Sequence, residues 1–101
     1  MSMAKEETRT KTDTRLKYPP RFNVIVYNDD FTPMAFVIKM LIEIFNKSLD
    51  SAQDITMQIH NEEKAIVGTY NHEIAEQKTA EATALSRANG HPLKIKYEQV
   101  E

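Results

Sequence analysis

Cysteine is missing from this sequence of 101 residues, which removes thiol catalysis, thiolate metal sites and a disulfide framework together. The absence fits a reducing compartment, and the cytoplasm is the expected location. A strong excess of either charge is missing too. With a formal net charge of -2, the chain offers no basic field to a nucleic-acid backbone. Long hydrophobic runs are also lacking. The opening stretch MSMAKEETRTKTDTR has no apolar signal core, and no run approaches the roughly 20 residues that span a bilayer. Neither export by such a signal nor membrane insertion is expected. What is present is a hydrophobic content of 41% in a length that supports one core. One small globular domain follows, with no room for a separate catalytic one.

Composition changes once, near residue 20. Residues 1–18 offer only Ala4, Leu16, Tyr18 and two methionines as apolar side chains among alternating charges and threonines, too few to offset the entropy of ordering. Residues 1–20 therefore read as a flexible N-terminal extension and residues 21–101 as the folded domain. Two consecutive prolines, Pro19 and Pro20, stiffen the junction by fixing φ and holding Tyr18 extended.

Beyond the junction the pattern is regular. RFNVIVYN alternates Phe22, Val24 and Val26 against Asn23, Ile25 and Tyr27, which predicts a strand. From Pro33, the residues Phe36, Val37, Met40, Leu41, Ile44 and Phe45 recur at helical spacing, with Thr32 as cap and Pro33 in the first turn. A second helix is predicted from Ser51 to about Asn61, with Ala52, Ile55 and Ile59 inward and Asp50 or Ser51 as cap. KAIVGTYN reads as a strand. HEIAEQKTAEATALSRANG reads as a helix with Ile74, Ala75, Ala82 and Leu85 inward and a stop at Gly90. PLKIKYEQ closes as a strand in which Leu93, Ile95 and Tyr97 alternate with charge. The expected fold is α+β, in the order strand, helix, helix, strand, helix, strand: a small three-stranded antiparallel sheet against three helices.

One stretch asks for a function. NDDFTPM, residues 28–34, sets an amide and two carboxylates between the first strand and the first helix. Asp29 and Asp30 suit a helix start, where carboxylates meet the positive end of the dipole. With His60 they could begin a metal site, although a hard cation wants more oxygen ligands than this stretch supplies. A third possibility is a receptor for a cation carried on an apolar group. Asn28 donates and accepts, Asp29 pairs with a positive charge, and Met34, Val37 and Met40 offer an adaptable apolar floor. The α-ammonium of a peptide with a large first side chain is such a ligand. Nucleophilic catalysis has no constellation, because Ser48, Ser51 and Ser86 stand on helix edges without a nucleophile elbow or a neighbouring histidine.

VIVYNDDFTPMAFVIKML, MQIHNEEKAIVGTYNHEIAEQKT and NGHPLKIKYE, in that order and register, together resemble ClpS, the bacterial adaptor family that delivers N-degron substrates to the ClpA unfoldase of the ClpAP protease. The likeness runs from about Phe22 to Glu98. It implies an N-recognin adaptor that has no enzymatic activity and needs no cofactor or metal. Its implied partners are N-degron proteins and the N-terminal domain of a ClpA-type unfoldase, and the chain is expected to act as a monomer.

The resemblance also implies residue roles. Asn28, Asp29 and His60 fall where the family grips the free α-amine and first peptide unit, and Asp30 and Thr32 fall at the rim. Met34, Val37, Ile59 and Leu93 fall at pocket-lining positions, Met34 at a gate that excludes side chains branched at Cβ. Thr56 stands where the family usually carries a pocket methionine, so the pocket is either larger and wetter or filled by Met40. Glu73 and Lys78 fall at positions that dock on the unfoldase, and the N-terminal extension would enter its pore. His72 and His91 are assigned no role. Two other readings lead elsewhere: a small metal-dependent hydrolase using Asp29, Asp30 and His60, or a ribosome-associated scaffold, since the fold resembles the C-terminal domain of the ribosomal stalk protein.

Overall fold

The computed structural model describes residues 18–101. Residues 1–17, which hold most of the expected extension, lie outside the described residues. The elements run β1 (Phe22–Tyr27), α1 (Met34–Glu43), α2 (Leu49–Glu62), β2 (Lys64–Tyr70), α3 (His72–Ala88) and β3 (Lys94–Gln99). The sheet order is β2-β1-β3, and both pairings are antiparallel. Order, strand number and strand direction agree with the sequence pattern.

The central strand has little choice of environment. Val24 and Val26 are fully buried against the helices together with Ala65, Val67 and Ile95. Ile25 pairs with Ile66 and Lys96 on the other face, and it is buried as well. As the middle of the middle strand it is covered by cross-strand neighbours, so alternation alone understates its burial. Next to it Tyr27 carries Lys94 Nζ 4.8 Å and Lys64 Nζ 5.8 Å from its ring centre.

A register shift between Val24 and Ile25 makes Val67 the extra residue of β2. The bulge keeps Ala65 and Val67 in the core and then puts Gly68 and Tyr70 opposite the inward Val24 and Phe22. The Tyr70 ring lies across Gly68, where an added Cβ would meet its Cε2 and Cζ at 2.6 Å. Glycine is there because the ring needs its space.

Helix boundaries correct the sequence reading at two caps. α2 begins at Leu49, two residues before the expected Ser51, because Ser48 is its cap and the Ser48 hydroxyl accepts from Ser51 N. Neither Asp50 nor Ser51 caps it; both lie inside the first turn, where Asp50 favours the dipole. Thr32 does not cap α1 either. Pro33 takes that position without a side-chain bond, and the Pro33 carbonyl accepts from Phe36 N and Val37 N. Asn71 caps α3 through Ile74 N, and Gly90 ends it at φ +78°, where glycine has no steric cost.

Within α3, Ala75 and Ala82 are fully buried, but Ile74, expected inward, is 36% exposed. The chain enters this helix beside Phe22 and Tyr97, whose rings stack edgewise on His72, so the inner face starts at Ala75. Farther along, Lys78 reaches back to α1: its ammonium donates to the Ile44 carbonyl at 2.7 Å and lies 5.6 Å from the Tyr70 ring centre. A cation thereby satisfies the end of a helix that has no basic residue in its own last turn.

Candidate functional site

Asn28 leaves β1 with its amide donating to the Glu63 carbonyl at 2.9 Å. Glu63 is the α2 C-cap and adopts the left-handed conformation at φ +74°. That one bond joins the NDD stretch to the end of α2, whose last turn carries His60. Sequence spacing gave no hint of it.

The next residues form a turn built around one carboxylate. Asp29 Oδ1 accepts from Phe31 N and Thr32 N, each at 2.7 Å, while Oδ2 accepts from the Thr32 hydroxyl at 2.7 Å. Asp29 therefore caps the turn that precedes α1 rather than the helix itself, which corrects the simplest structural expectation. Partial burial alone would raise its pKa. The Thr32 hydroxyl, the Phe31 and Thr32 amides and the charge of His91 outweigh that and hold the carboxyl below its ordinary value. An ionised carboxylate has about four acceptor positions. Three are filled here, and the remaining capacity suits one further donor.

The apolar candidates divide by exposure. Val37, Met40, Ile59 and Leu93 are buried in one continuous core cluster. Met34, the first residue of α1, is 40% exposed. Thr56 is buried, and its hydroxyl donates to the Ala52 carbonyl at 2.7 Å. The substitution of threonine therefore leaves no unpaired hydroxyl, and Met57, beside it, points outward at 47% exposure. Asp30 and His60 are exposed, and Thr32 is half-buried.

Among the described residues no three histidine, aspartate or glutamate side chains gather into a metal-binding group. Asp29, Asp30 and His60 thus do not converge as a hydrolase site would require. Glu73 is exposed in the first turn of α3. Lys78 is half-buried with its ammonium engaged by α1.

Two residues near the turn were missed by sequence reasoning. His91, set aside as an ordinary histidine, lies close enough to lower the Asp29 pKa and packs edgewise on Phe36 at 4.7 Å. Phe31 is 78% exposed, an unusual place for an aromatic side chain between two turn residues. The only signal for either was its position beside a singled-out motif, NDD for one and HPL for the other.

No helix among the described residues is long and apolar enough to cross a membrane. Comparison with known proteins gives a consistent result. Residues 17–96 match the family described as ATP-dependent Clp protease adaptor protein ClpS. The Clp protease adapter ClpS of Vibrio atlanticus is 46% identical over 90 residues, covering 89% of this chain and 85% of that protein. That of Desulforapulum autotrophicum is 41% identical over 95 residues, covering 94% of this chain and 91% of that protein. Among solved structures, Agrobacterium tumefaciens ClpS2 bound to L-phenylalaninamide superposes with a TM-score of 0.80 at 35% identity, covering 82% of this chain and all of that one. The family match runs from before β1 into β3, so this chain belongs to the ClpS family of adaptors of the ATP-dependent Clp protease, a family of adaptors and not of enzymes.

Proposed function

We propose that this adaptor grips the free α-ammonium and the large apolar first side chain (Phe, Leu, Tyr or Trp) of N-degron proteins and passes them, in the cytoplasm and as a monomer, to a ClpA-type unfoldase. The carrying observation is Asp29: an ionised carboxylate held by three donors, with acceptor capacity left over. It sits on the turn that leads into α1, whose Met34, Val37 and Met40 begin the apolar set. Asn28 and His60 complete the polar grip. Asp30 and Thr32 form the rim, and Ile59, Thr56 and Leu93 form the rest of the pocket wall. Charge-assisted hydrogen bonding recognises the amine, and burial of one large apolar side chain adds roughly 1.5 to 3 kcal/mol. The phenylalaninamide bound by the Agrobacterium protein is a ligand of this chemistry, a free amine on an aromatic residue.

Docking on the N-terminal domain of the unfoldase falls to the outer face of α3. Glu73 supplies an exposed charge there, while Lys78, anchored on Ile44, fixes that face against α1. The extension, residues 1–20, serves as the tether that enters the unfoldase pore, raising effective concentration rather than affinity.

Calorimetric titration tests the reading. L-phenylalaninamide should bind saturably, whereas N-acetyl-L-phenylalaninamide, which brings Asp29 no positive charge, should give no measurable binding. Equal affinity for the two would end it.

Met34 gives a second test. At the pocket edge its unbranched, partly exposed side chain narrows the entrance. Met34→Ala should admit Ile and Val as first residues, raising their affinity relative to Phe by about tenfold, a cavity effect of about 1.4 kcal/mol. Uniform weakening of all first residues, with Ile still excluded, would remove Met34 from the gate.

A further inference from the structure

An open cleft of about 480 Å³ lies beside the amine site, lined by Phe31, Arg87, Gly90, His91 and Pro92. It shares walls with that site on two sides. Phe31 donates its amide to Asp29, and His91 and Pro92 lead directly into Leu93, a member of the buried apolar set. The far wall is cross-linked: Arg87 Nη1 donates to the His91 carbonyl at 3.0 Å and the Leu93 carbonyl at 2.7 Å, and the His91 ring packs edgewise on Phe36. Into this cleft projects the most exposed large hydrophobic side chain among the described residues, Phe31 at 78%. Neither the Asp29 turn nor the core uses that ring, since the turn takes only the Phe31 backbone amide.

An extended peptide anchored by its amine carries its second Cα about 3.8 Å from the first, with the second side chain turned to the opposite side. A second side chain therefore cannot share the pocket of the first. It needs its own surface within one residue of Asp29. We propose that the cleft between Phe31 and His91–Pro92 is a subsite for the side chain of the second substrate residue, and that it favours apolar and aromatic side chains packed on the Phe31 ring. This rests on the amine-site reading above and extends it from the first residue of the degron to the second. An aromatic face and a proline ring offer contact area and little hydrogen bonding, so glycine gains nothing there.

The experiment compares L-phenylalaninamide, Phe-Gly-amide, Phe-Leu-amide and Phe-Phe-amide by calorimetry on the whole chain and on Phe31→Ala and Phe31→Leu. On the unaltered chain, Phe-Leu-amide and Phe-Phe-amide should bind about five- to tenfold more tightly than Phe-Gly-amide. In Phe31→Ala that ratio should fall to within about twofold, and Phe31→Leu should restore part of it for Phe-Leu-amide. The peptides share one first residue, so any disturbance of the Asp29 turn cancels in the ratio. A ratio near one on the unaltered chain, or a ratio that survives Phe31→Ala, overturns the subsite and leaves the amine site standing. Failure of L-phenylalaninamide to bind overturns the amine site and the subsite with it.

Discussion

Asp29→Ala is expected to weaken binding of every N-degron peptide by roughly 30- to 100-fold, about 2 to 2.7 kcal/mol, whichever large apolar residue comes first. Under the proposed function the loss is uniform, because the carboxylate would meet the amine that all these ligands share. Two effects combine in it. The ammonium loses its counter-charge, and the Phe31 and Thr32 amides lose their acceptor, so the turn itself loosens. Asp29→Asn separates them, since its amide oxygen can still accept from both backbone amides but brings no charge. Peptide affinity measured by fluorescence anisotropy should remain low in Asp29→Asn while thermal stability stays close to that of the parent. Recovery of affinity in the asparagine variant would mean that the carboxylate acts only as a turn former.

The same carboxylate sets the acid limb of the pH profile. Its folded pKa is lowered, so it contributes stability that is present above the unfolded carboxylate pKa and is lost as pH falls through the lower, folded value. Binding should follow a similar course on that side, holding through the ordinary carboxylate range and failing only below it. On the alkaline side the ligand decides, because a free α-amine loses its proton near pH 7.7 to 8.0. Affinity should therefore be flat from about pH 5 to 7 and decline above about pH 8. A decline already at pH 6 would point to a histidine as the group that matters.

Met40→Ala should be the most damaging single truncation among the site candidates. Met40 has no exposed surface and belongs to the core cluster, and it is also one of the residues proposed to line the pocket. Removing a buried methionine side chain costs about 3 kcal/mol in lost transfer energy and residual cavity. For a domain of this size that is a fall of roughly 12 to 20 °C in Tm by circular dichroism. Met57→Ala is the control, because Met57 is 47% exposed on α2 and should change stability by no more than about 0.5 kcal/mol. Equal losses from the two would place Met40 outside the core.

That pair of methionines shows where sequence reading succeeds and where it stops. Helical spacing placed Met40 on the inner face of α1 together with Val37 and Leu41, and all three are buried. Strand alternation likewise found Val24 and Val26, and glycine found the end of α3 at Gly90. These are local signals: each depends on a period or a backbone preference contained within a few residues, so a single sequence carries them whole. The order of elements and the sheet type were legible for the same reason.

What tertiary structure alone decided are the contacts between distant segments. Lys78 closes α1 from 34 residues away, Asn28 is tied to the left-handed Glu63, and His91 acts on Asp29 from the far end of the domain. The Val67 bulge, which turns Gly68 and Tyr70 inward, depends on how β2 meets β1. Ile74 faces solvent because the Phe22, His72 and Tyr97 rings set the entry of α3. Periodicity states which face of an element is apolar, but not which other element arrives there. Hydrogen bonds, ring packing and pKa shifts depend on distances of a few ångströms between residues far apart in the chain, and those distances exist only once the sheet and helices have packed.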